Sequence, residues 1–245
     1  GKVAIVTGGG SGIGKGIARA FAAEGCNVVI AARNMERLGI TAKELQAGAA
    51  GGAKVVPMQA DVTDEKQVQG LFGKVMSQFK RLDILVNNSG VVKGSRVDTL
   101  PLALWNETMD VNVTGAFLCL REAFKIMKEA GGGKIINIGS ISAQRPRHHS
   151  AAYTTSKFAI WGLTNAAALD GREFNIAVSC LHPGNVMVER RASSRSGAGR
   201  DEGPEPMLST EPVGRAAVLM ATMPIDANLL EVILLPNAQT YLGRG

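Results

Sequence analysis

Aromatic side chains are scarce in this chain, and so are cysteines, histidines and long apolar runs. Only 4% of the 245 residues are aromatic, and there are three cysteines and three histidines. The cysteines, Cys26, Cys119 and Cys180, are odd in number and widely spaced, so they match neither a disulfide framework nor a zinc site. Each lies in an apolar pattern, which predicts buried, reduced thiols and a cytoplasmic location or another reducing compartment.

Two further absences narrow the class of protein. No apolar run approaches the ~20 residues that a membrane span needs, and the first residues have the pattern of a strand rather than of a signal peptide. The charge excess is small, since 27 basic residues against 21 acidic ones leave a formal net charge of +6. Apart from Arg190, Arg191, Arg195 and Arg200 the basic residues are scattered, and no nucleic-acid reading module is visible. We therefore expect neither a membrane span nor a nucleic-acid partner, and no metal site.

What the chain has in quantity is alternation of short Val/Ile-rich runs with longer helical stretches. Strands are predicted at residues 3–6, 28–31, 54–58, 84–87, 134–138, 176–181 and 229–235. A long helix, with a possible bend, is predicted from near Leu102 to Glu129. Strands that are apolar throughout and alternate with helices indicate a parallel sheet covered on both faces. The expected fold is α/β, a single-domain Rossmann-type doubly wound sheet of about seven strands that takes in residues 1–245, with no dividing linker.

A glycine-rich turn follows the first strand, with the sequence Thr7-Gly8-Gly9-Gly10-Ser11-Gly12-Ile13-Gly14. Glycines at a strand-to-helix turn let the backbone approach a pyrophosphate, whose charge the helix N-terminus stabilises. A tight turn built of small residues is the alternative. The position of the motif, after a strand and before a helix, favours dinucleotide binding.

Tyr153 and Lys157 are four residues apart, so they lie one turn apart on the same face of a helix. A phenol is a weak acid near neutral pH, and an ammonium one turn away stabilises its phenolate. Such a pair suits proton exchange with an alcohol or carbonyl oxygen. Taken alone, the pair also fits an ordinary amphipathic helix surface.

Together these stretches resemble the short-chain dehydrogenase/reductase family, whose glycine motif is Thr-Gly-x-x-x-Gly-x-Gly. The resemblance extends over nearly the whole chain, through Asn87-Asn88-Ser89-Gly90 (Ser89 replaces an Ala), Asn112, Ser140, Tyr153, Lys157 and Pro183-Gly184. It implies the catalytic residues Asn112, Ser140, Tyr153 and Lys157. In this scheme Ser140 bonds the substrate carbonyl, Lys157 bonds the nicotinamide ribose, and Asn112 holds a water that links Lys157 to solvent. Without the resemblance, Ser140 could equally bond local backbone, and Asn112 could simply bend its helix.

The same resemblance implies a cofactor site. Its residues are Gly8, Ser11, Gly12, Ile13, Gly14, Arg33, Asn34, Asp61, Val62, Asn88, Ser89, Gly90, Tyr153, Lys157, Pro183, Gly184 and Val186. An NAD enzyme of this type usually carries an acid near position 32, which accepts the ribose 2′-hydroxyl. Ala32 lacks that acceptor, and Arg33 offers a fork of donors suited to a 2′-phosphate. NADP(H) is therefore the expected cofactor, with NAD(H) as the alternative if Arg33 only faces solvent.

Two departures from the family pattern stand out. Val188 occupies the position where the family often has a Thr that bonds the nicotinamide carboxamide, and the C-terminus lacks the frequent Thr-Gly and Asp-Gly-Gly signals. Residues 185–209, rich in Gly, Ser, Pro and Arg, occupy the substrate-loop position, and their composition predicts a mobile loop.

The resemblance implies hydride transfer between the nicotinamide and a small-molecule carbonyl, secondary alcohol or enoyl substrate. It also implies a homodimer or homotetramer, formed through the helix around residues 117–127 and the Tyr153 helix. A non-catalytic NADP(H)-binding regulator is the competing class, but such a protein has no need for Asn112, Ser140, Tyr153 and Lys157 together.

Overall fold

The computed structural model of the protein describes residues 1–189 and 205–242, and they contain one seven-stranded sheet. The strands are β1 (Val3–Thr7), β2 (Asn27–Ala32), β3 (Val55–Gln59), β4 (Ile84–Asn87), β5 (Gly133–Ile138), β6 (Ile176–Pro183) and β7 (Glu231–Leu234). Every pair of neighbours is parallel, in the order β3-β2-β1-β4-β5-β6-β7. The predicted α/β class and parallel sheet are confirmed.

Helices connect these strands on both faces of the sheet. They are α1 (Gly12–Ala23), α2 (Met35–Gln46), α3 (Glu65–Phe79), α4 (Leu102–Met109), α5 (Gly115–Glu129), α6 (Ala151–Gly171) and α7 (Thr210–Thr222). The predicted long helix is present as α4 and α5, joined by a π-helical turn at Asp110–Thr114. A π turn inserts extra backbone into a helix, which agrees with the predicted bend.

Both faces of β1 are buried, which explains why the sequence of this strand is largely apolar. Val3 and Ile5 pack into the core under α3, α5 and α6, whereas Ala4 and Val6 pack into the core under α1, α2 and α7. This division follows from the strand geometry, in which successive side chains point to opposite faces. The three cysteines are buried free thiols, as predicted, and burial raises the pKa of each to about 12.

Two features of the helices bear on the site. Asp64 caps α3 by accepting hydrogen bonds from the backbone N–H groups of Lys66 and Gln67. Helix α7 lies very close to α1. At Gly16, a Cβ would stand only 2.5 Å from the Cβ of Thr210. That close approach places the start of α7 beside the start of α1.

The predicted loop at residues 185–209 is described only at its two ends. Val186 and Leu208 form an isolated parallel bridge, with hydrogen bonds from the Met187 N–H to the Leu208 carbonyl and from the Leu208 N–H to the Asn185 carbonyl. Residues 190–204, with their four arginines, lie outside the described residues, so the mobility of the loop stays a prediction. Within the described residues, no helix is both long and apolar enough to span a membrane.

Candidate active site

The site lies where the winding of the sheet reverses. Strand β1 has β2 on one side and β4 on the other, and β4 is followed by β5 and β6. Ligands of such sheets bind in the crevice at the carboxyl ends of the strands at this reversal. The segments that follow β1, β4, β5 and β6 carry Gly8, Asn88, Ser140 and Gly184, so the predicted cofactor and catalytic segments meet at one edge.

The glycine turn after β1 depends on glycine for two separate reasons. Gly8 and Gly12 have φ angles of +64° and +53°, the left-handed region that strains other residues. At Gly14 the reason is space, since a Cβ would stand 2.4 Å from Asn88 Nδ2 and 2.5 Å from the Gly8 carbonyl oxygen. Asn88 Nδ2 donates to the Thr7 carbonyl at 2.9 Å, so the segment after β4 braces this turn.

The N-terminus of α1 already bonds an anionic group. The Gly12 N–H donates to Oε2 of Glu189 at 2.8 Å. A carboxylate oxygen is chemically similar to a phosphate oxygen, and both are stabilised at a helix N-terminus. Ser11, the N-cap residue, makes no side-chain capping bond. These observations fit the predicted pyrophosphate position, at which Ser11, Gly12 and Ile13 would hold the cofactor.

The segments expected to hold the adenosine side follow β2 and β3. Arg33 is exposed, and its guanidinium makes no hydrogen bond or ion pair to any residue the structure describes. Asn34 has a capping role, since its side chain accepts from the Arg37 N–H at 2.8 Å at the start of α2. Asp61 is held in place by bonds from the Thr63 N–H and hydroxyl to its Oδ1. The neighbouring Val62 is buried, with its Cγ2 2.6 Å from where a Cβ on Gly115 would lie.

Tyr153 and Lys157 lie in the first turns of α6, as predicted. Tyr153 is the third residue of the helix, near the end where the helix dipole favours negative charge. Lys157 is buried, with 7% exposure, and its Nζ lies 5.6 Å from the centroid of the Tyr153 ring. The ammonium donates one hydrogen bond to the Ile138 carbonyl at 2.8 Å, which fixes it beneath the site and leaves two further N–H groups.

Ser140 follows β5 directly and is buried, with 8% exposure. Its Oγ accepts from the Ser142 N–H at 3.1 Å, which leaves the hydroxyl proton free to be donated. The Ser140 N–H is bonded to Nδ1 of His182 at 3.2 Å. The first of these contacts is the local backbone bond that the sequence offered as an alternative, and it is compatible with a substrate-facing hydroxyl.

Asn112 lies inside the π-helical turn, and its side chain joins two other segments. Nδ2 donates to the Val91 carbonyl at 3.0 Å and to Oγ of Ser156 at 2.9 Å, while Oδ1 accepts from the Val91 N–H at 2.8 Å. Both amide N–H groups are therefore used by the protein. A water held by this residue would have to bond one of its oxygen atoms, and the relay implied by the resemblance stays a prediction.

The Pro183-Gly184 segment is fixed from the C-terminal side of the chain. The Asn185 N–H donates to Oε1 of Gln239 at 2.9 Å, and a Cβ on Gly184 would lie 2.2 Å from the same atom. Val188 packs against the glycine turn, with its Cγ1 3.2 Å from where a Cβ on Gly12 would be. Val188 thus makes an apolar contact at the position where the family often has a Thr hydroxyl.

Three residues of the site were not predicted. Thr7 accepts the N–H groups of Asn88 and Ser89 with its hydroxyl, Ser156 holds Asn112, and His182 contacts Ser140 from below. Thr7 belongs to the glycine motif and Ser156 lies between Tyr153 and Lys157, but neither was given a role of its own. The signal at His182 was a titratable residue in an apolar strand next to Pro183. Among residues 1–189 and 205–242 no group of three or more His, Cys, Asp or Glu side chains could hold a metal ion.

The fold, together with the site at the carboxyl ends of its strands, defines a dinucleotide-dependent oxidoreductase. Comparisons with known proteins agree. The family model for short chain dehydrogenase matches residues 2–199. The chain is 35% identical over 241 residues to a 3-alpha-(or 20-beta)-hydroxysteroid dehydrogenase of Mycobacterium tuberculosis, covering 98% of this chain and 85% of the relative.

Solved structures give the same result. A short-chain type dehydrogenase/reductase from Mycobacterium marinum superposes with a TM-score of 0.86, at 30% identity over 96% of this chain and 94% of the other. An actinorhodin polyketide ketoreductase variant solved with NADPH has a TM-score of 0.88, at 28% identity, with 96% of each chain covered. The chain belongs to the short-chain dehydrogenase/reductase family and is an oxidoreductase of that family.

Proposed function

We propose that the protein is an NADP(H)-dependent enzyme that interconverts a ketone and a secondary alcohol through Ser140, Tyr153, Lys157 and Asn112. The observation that carries the proposal is the burial of Lys157 one turn from Tyr153, at the strand edge that also carries Ser140. A buried ammonium beside a phenol near a helix N-terminus stabilises the phenolate. An ordinary helix surface would leave the lysine in solvent.

The nicotinamide, when bound, supplies or accepts the hydride. In the reductive direction Tyr153 donates its proton to the substrate oxygen, and Lys157 stabilises the phenolate that remains. Ser140 donates a hydrogen bond to the same oxygen and stabilises the charge that develops on it. The two N–H groups of Lys157 that do not bond Ile138 serve the ribose and the proton path, for which an oxygen of Asn112 holds a water.

The substrate class is proposed as a bulky cyclic ketone or alcohol. Its support is the similarity to a hydroxysteroid dehydrogenase over 98% of this chain and to a polyketide ketoreductase over 96%. A panel should include steroid ketones, aromatic polyketide-like ketones, 3-oxoacyl and enoyl thioesters, sugars and small ketones, followed by NADPH absorbance. If only the enoyl thioesters were turned over, the proposed carbonyl chemistry would be wrong.

The assignment of Tyr153 is tested by Tyr153→Phe, which removes the proton donor and keeps the ring. We expect kcat to fall by about 10²–10⁴, with the NADPH dissociation constant changed less than about threefold. Thr222→Val, which also removes one hydroxyl, is the control, because the Thr222 hydroxyl bonds the Val218 and Leu219 carbonyls at the end of α7. Retention of most activity in Tyr153→Phe would sink the mechanism, whichever substrate was used.

The cofactor proposal rests on Ala32 and on the exposed, unbonded guanidinium of Arg33 at the end of β2. We expect the wild type to prefer NADPH in kcat/KM. Arg33→Ala should lower kcat/KM for NADPH about 10- to 100-fold, the value of one charge-assisted bidentate contact of about 1.5–3 kcal/mol, and should leave NADH unaffected. Arg172→Ala, an exposed arginine just before β6 at the opposite edge of the sheet, is the control. A strong preference of the wild type for NADH would support the NAD-linked alternative.

A further inference from the structure

His182 is a fully buried histidine next to the proposed catalytic serine. It lies near the end of β6 with 0% exposure, and its ring packs edge-on against Trp161, with centroids 5.7 Å apart and an interplanar angle of 76°. Gly139 makes room for the ring, since a Cβ there would lie 2.6 Å from Nδ1. A side chain at position 139 would therefore push His182 away from Ser140.

The groups around the ring indicate which of its two nitrogens carries the proton when the ring is neutral. Nδ1 of His182 lies 3.2 Å from the Ser140 nitrogen and 2.9 Å from the Ser140 carbonyl oxygen. The Ser140 N–H points at Nδ1, whereas the carbonyl, which also accepts from the Ala143 N–H at 2.9 Å, has a second lone pair that a protonated Nδ1 can bond. The direction of the Ser140 N–H favours a neutral ring with the lone pair on Nδ1 and the proton on Nε2.

The opposite ring nitrogen faces a carboxylate from the neighbouring strand. Nε2 is buried without a hydrogen-bond partner among the described residues, and Oε1 of Glu231 in β7 lies 3.5 Å from it. That carboxylate is held by Gln144, whose Nε2 donates to Oε1 of Glu231 at 2.6 Å. A carboxylate on this side favours a proton on Nε2, as carboxylates that orient histidine rings generally do.

We propose that His182 is a positioning residue for Ser140, which it holds through the Ser140 N–H, and that protonation of His182 releases this hold. The proposal rests on the proposed function, because it matters for turnover only if Ser140 contacts the substrate. In the imidazolium form Nδ1 becomes a donor, so the Ser140 N–H loses its acceptor and the ring bonds the Ser140 carbonyl instead. The Ser140 backbone must then shift, and its hydroxyl with it.

The direction of the pH dependence follows from the groups around the ring. Burial lowers the pKa of His182, and Lys157 from α6 adds to this, while the Ser140 carbonyl and Glu231 from β7 oppose it because both stabilise a protonated ring. Cys180, on the same strand, contributes a thiol that burial keeps neutral. A histidine with a lowered pKa in the folded state is neutral at pH 7, and its contribution to stability is lost as the pH falls below about 6.5, the unfolded value.

The first experiment separates the acceptor at Nδ1 from the rest of the ring. His182→Asn keeps an acceptor near the Nδ1 position but cannot ionise, whereas His182→Leu removes the acceptor. We expect His182→Leu to lower kcat at pH 8 by about tenfold or more, the effect of leaving one buried N–H unsatisfied, with NADPH affinity within about twofold. Protonation of His182 predicts a decline of the wild-type kcat at acid pH; His182→Asn should keep kcat at pH 8 within about threefold and lose that decline.

A double-mutant cycle tests whether the effect passes through Ser140. In a Ser140→Ala background, which already lacks the hydroxyl, His182→Leu should cause no further loss of kcat. If the two losses instead multiply, His182 acts on turnover by some route other than Ser140, and the proposal is overturned.

The second experiment does not depend on turnover. The chain has three histidines, so a spectrum of ¹⁵N-histidine-labelled protein contains three rings, and His182→Asn identifies the signal of His182. We expect the Nε2–H form at pH 8, and protonation at lower pH in Glu231→Gln than in the wild type, because the carboxylate that stabilises the protonated ring is gone. An Nδ1–H form, or no shift in Glu231→Gln, would refute the proposal. If the wild type turned over no substrate of the panel, the proposed function would fail while this spectrum still decided the role of His182.

Discussion

Glu189 bonds the N-terminus of α1. Its carboxylate accepts the Gly12 N–H at the start of α1, where a pyrophosphate oxygen is expected to bind. Two anions cannot share one helix N-terminus without mutual repulsion. A pyrophosphate that binds at the start of α1 would therefore have to displace the Glu189 carboxylate from the Gly12 N–H.

We predict that Glu189→Gln binds NADPH more tightly, by about three- to tenfold, where each tenfold step corresponds to about 1.4 kcal/mol. The amide is a weaker competitor for the Gly12 N–H and does not repel the phosphates. Fluorescence titration of NADPH would measure the effect at low salt, and Glu24→Gln, an exposed acid at the far end of α1, is the control. Unchanged or weaker binding in Glu189→Gln would show that the contact does not compete with the cofactor.

At the scale of elements, the features that could be predicted are local ones. The glycine turn and the Tyr153–Lys157 pair each span fewer than ten residues, and each carries its whole pattern within one stretch. For the described residues, the succession of strands along the chain agrees with the prediction, whereas the order of the strands in the sheet was not predicted.

The features that could not be predicted are contacts between distant segments. The low helix propensity of Asn112 was visible, but the bonds that fix it in the π turn come from Val91 and Ser156, 21 and 44 residues away. Similarly, His182 acts on Ser140 across 42 residues. No periodicity in the chain encodes such pairs, because they depend on which strand ends become neighbours.

At the scale of the whole molecule, α5 and α6 present large apolar side chains to solvent. Phe117 and Phe158 are 43% and 49% exposed, on the two helices through which association was expected from the family resemblance. Aromatic side chains are enriched at interfaces between proteins. We propose that a second copy of the chain covers this surface.

We predict a dimer or tetramer by light scattering at micromolar concentration, and a shift toward the monomer in Phe158→Asp, because the carboxylate would lose its water in the interface. Ile40→Asp is the control, since Ile40 is 64% exposed on α2, away from both helices. A monomeric wild type, or a Phe158→Asp variant of unchanged mass, would contradict this arrangement.

The bridge between Val186 and Leu208 has a consequence for how such a protein can be altered. The chain leaves the site and returns to it through two backbone hydrogen bonds of one parallel pair, beside the start of α7. Since the base is closed by main-chain bonds, these two bonds can form with other side chains between the two ends. The closure cost of a loop rises by only about 0.6 kcal/mol for each doubling of length. A segment from a relative with a different substrate, longer or shorter, could therefore be grafted at this base while Ser140, Tyr153 and Lys157 stay in place.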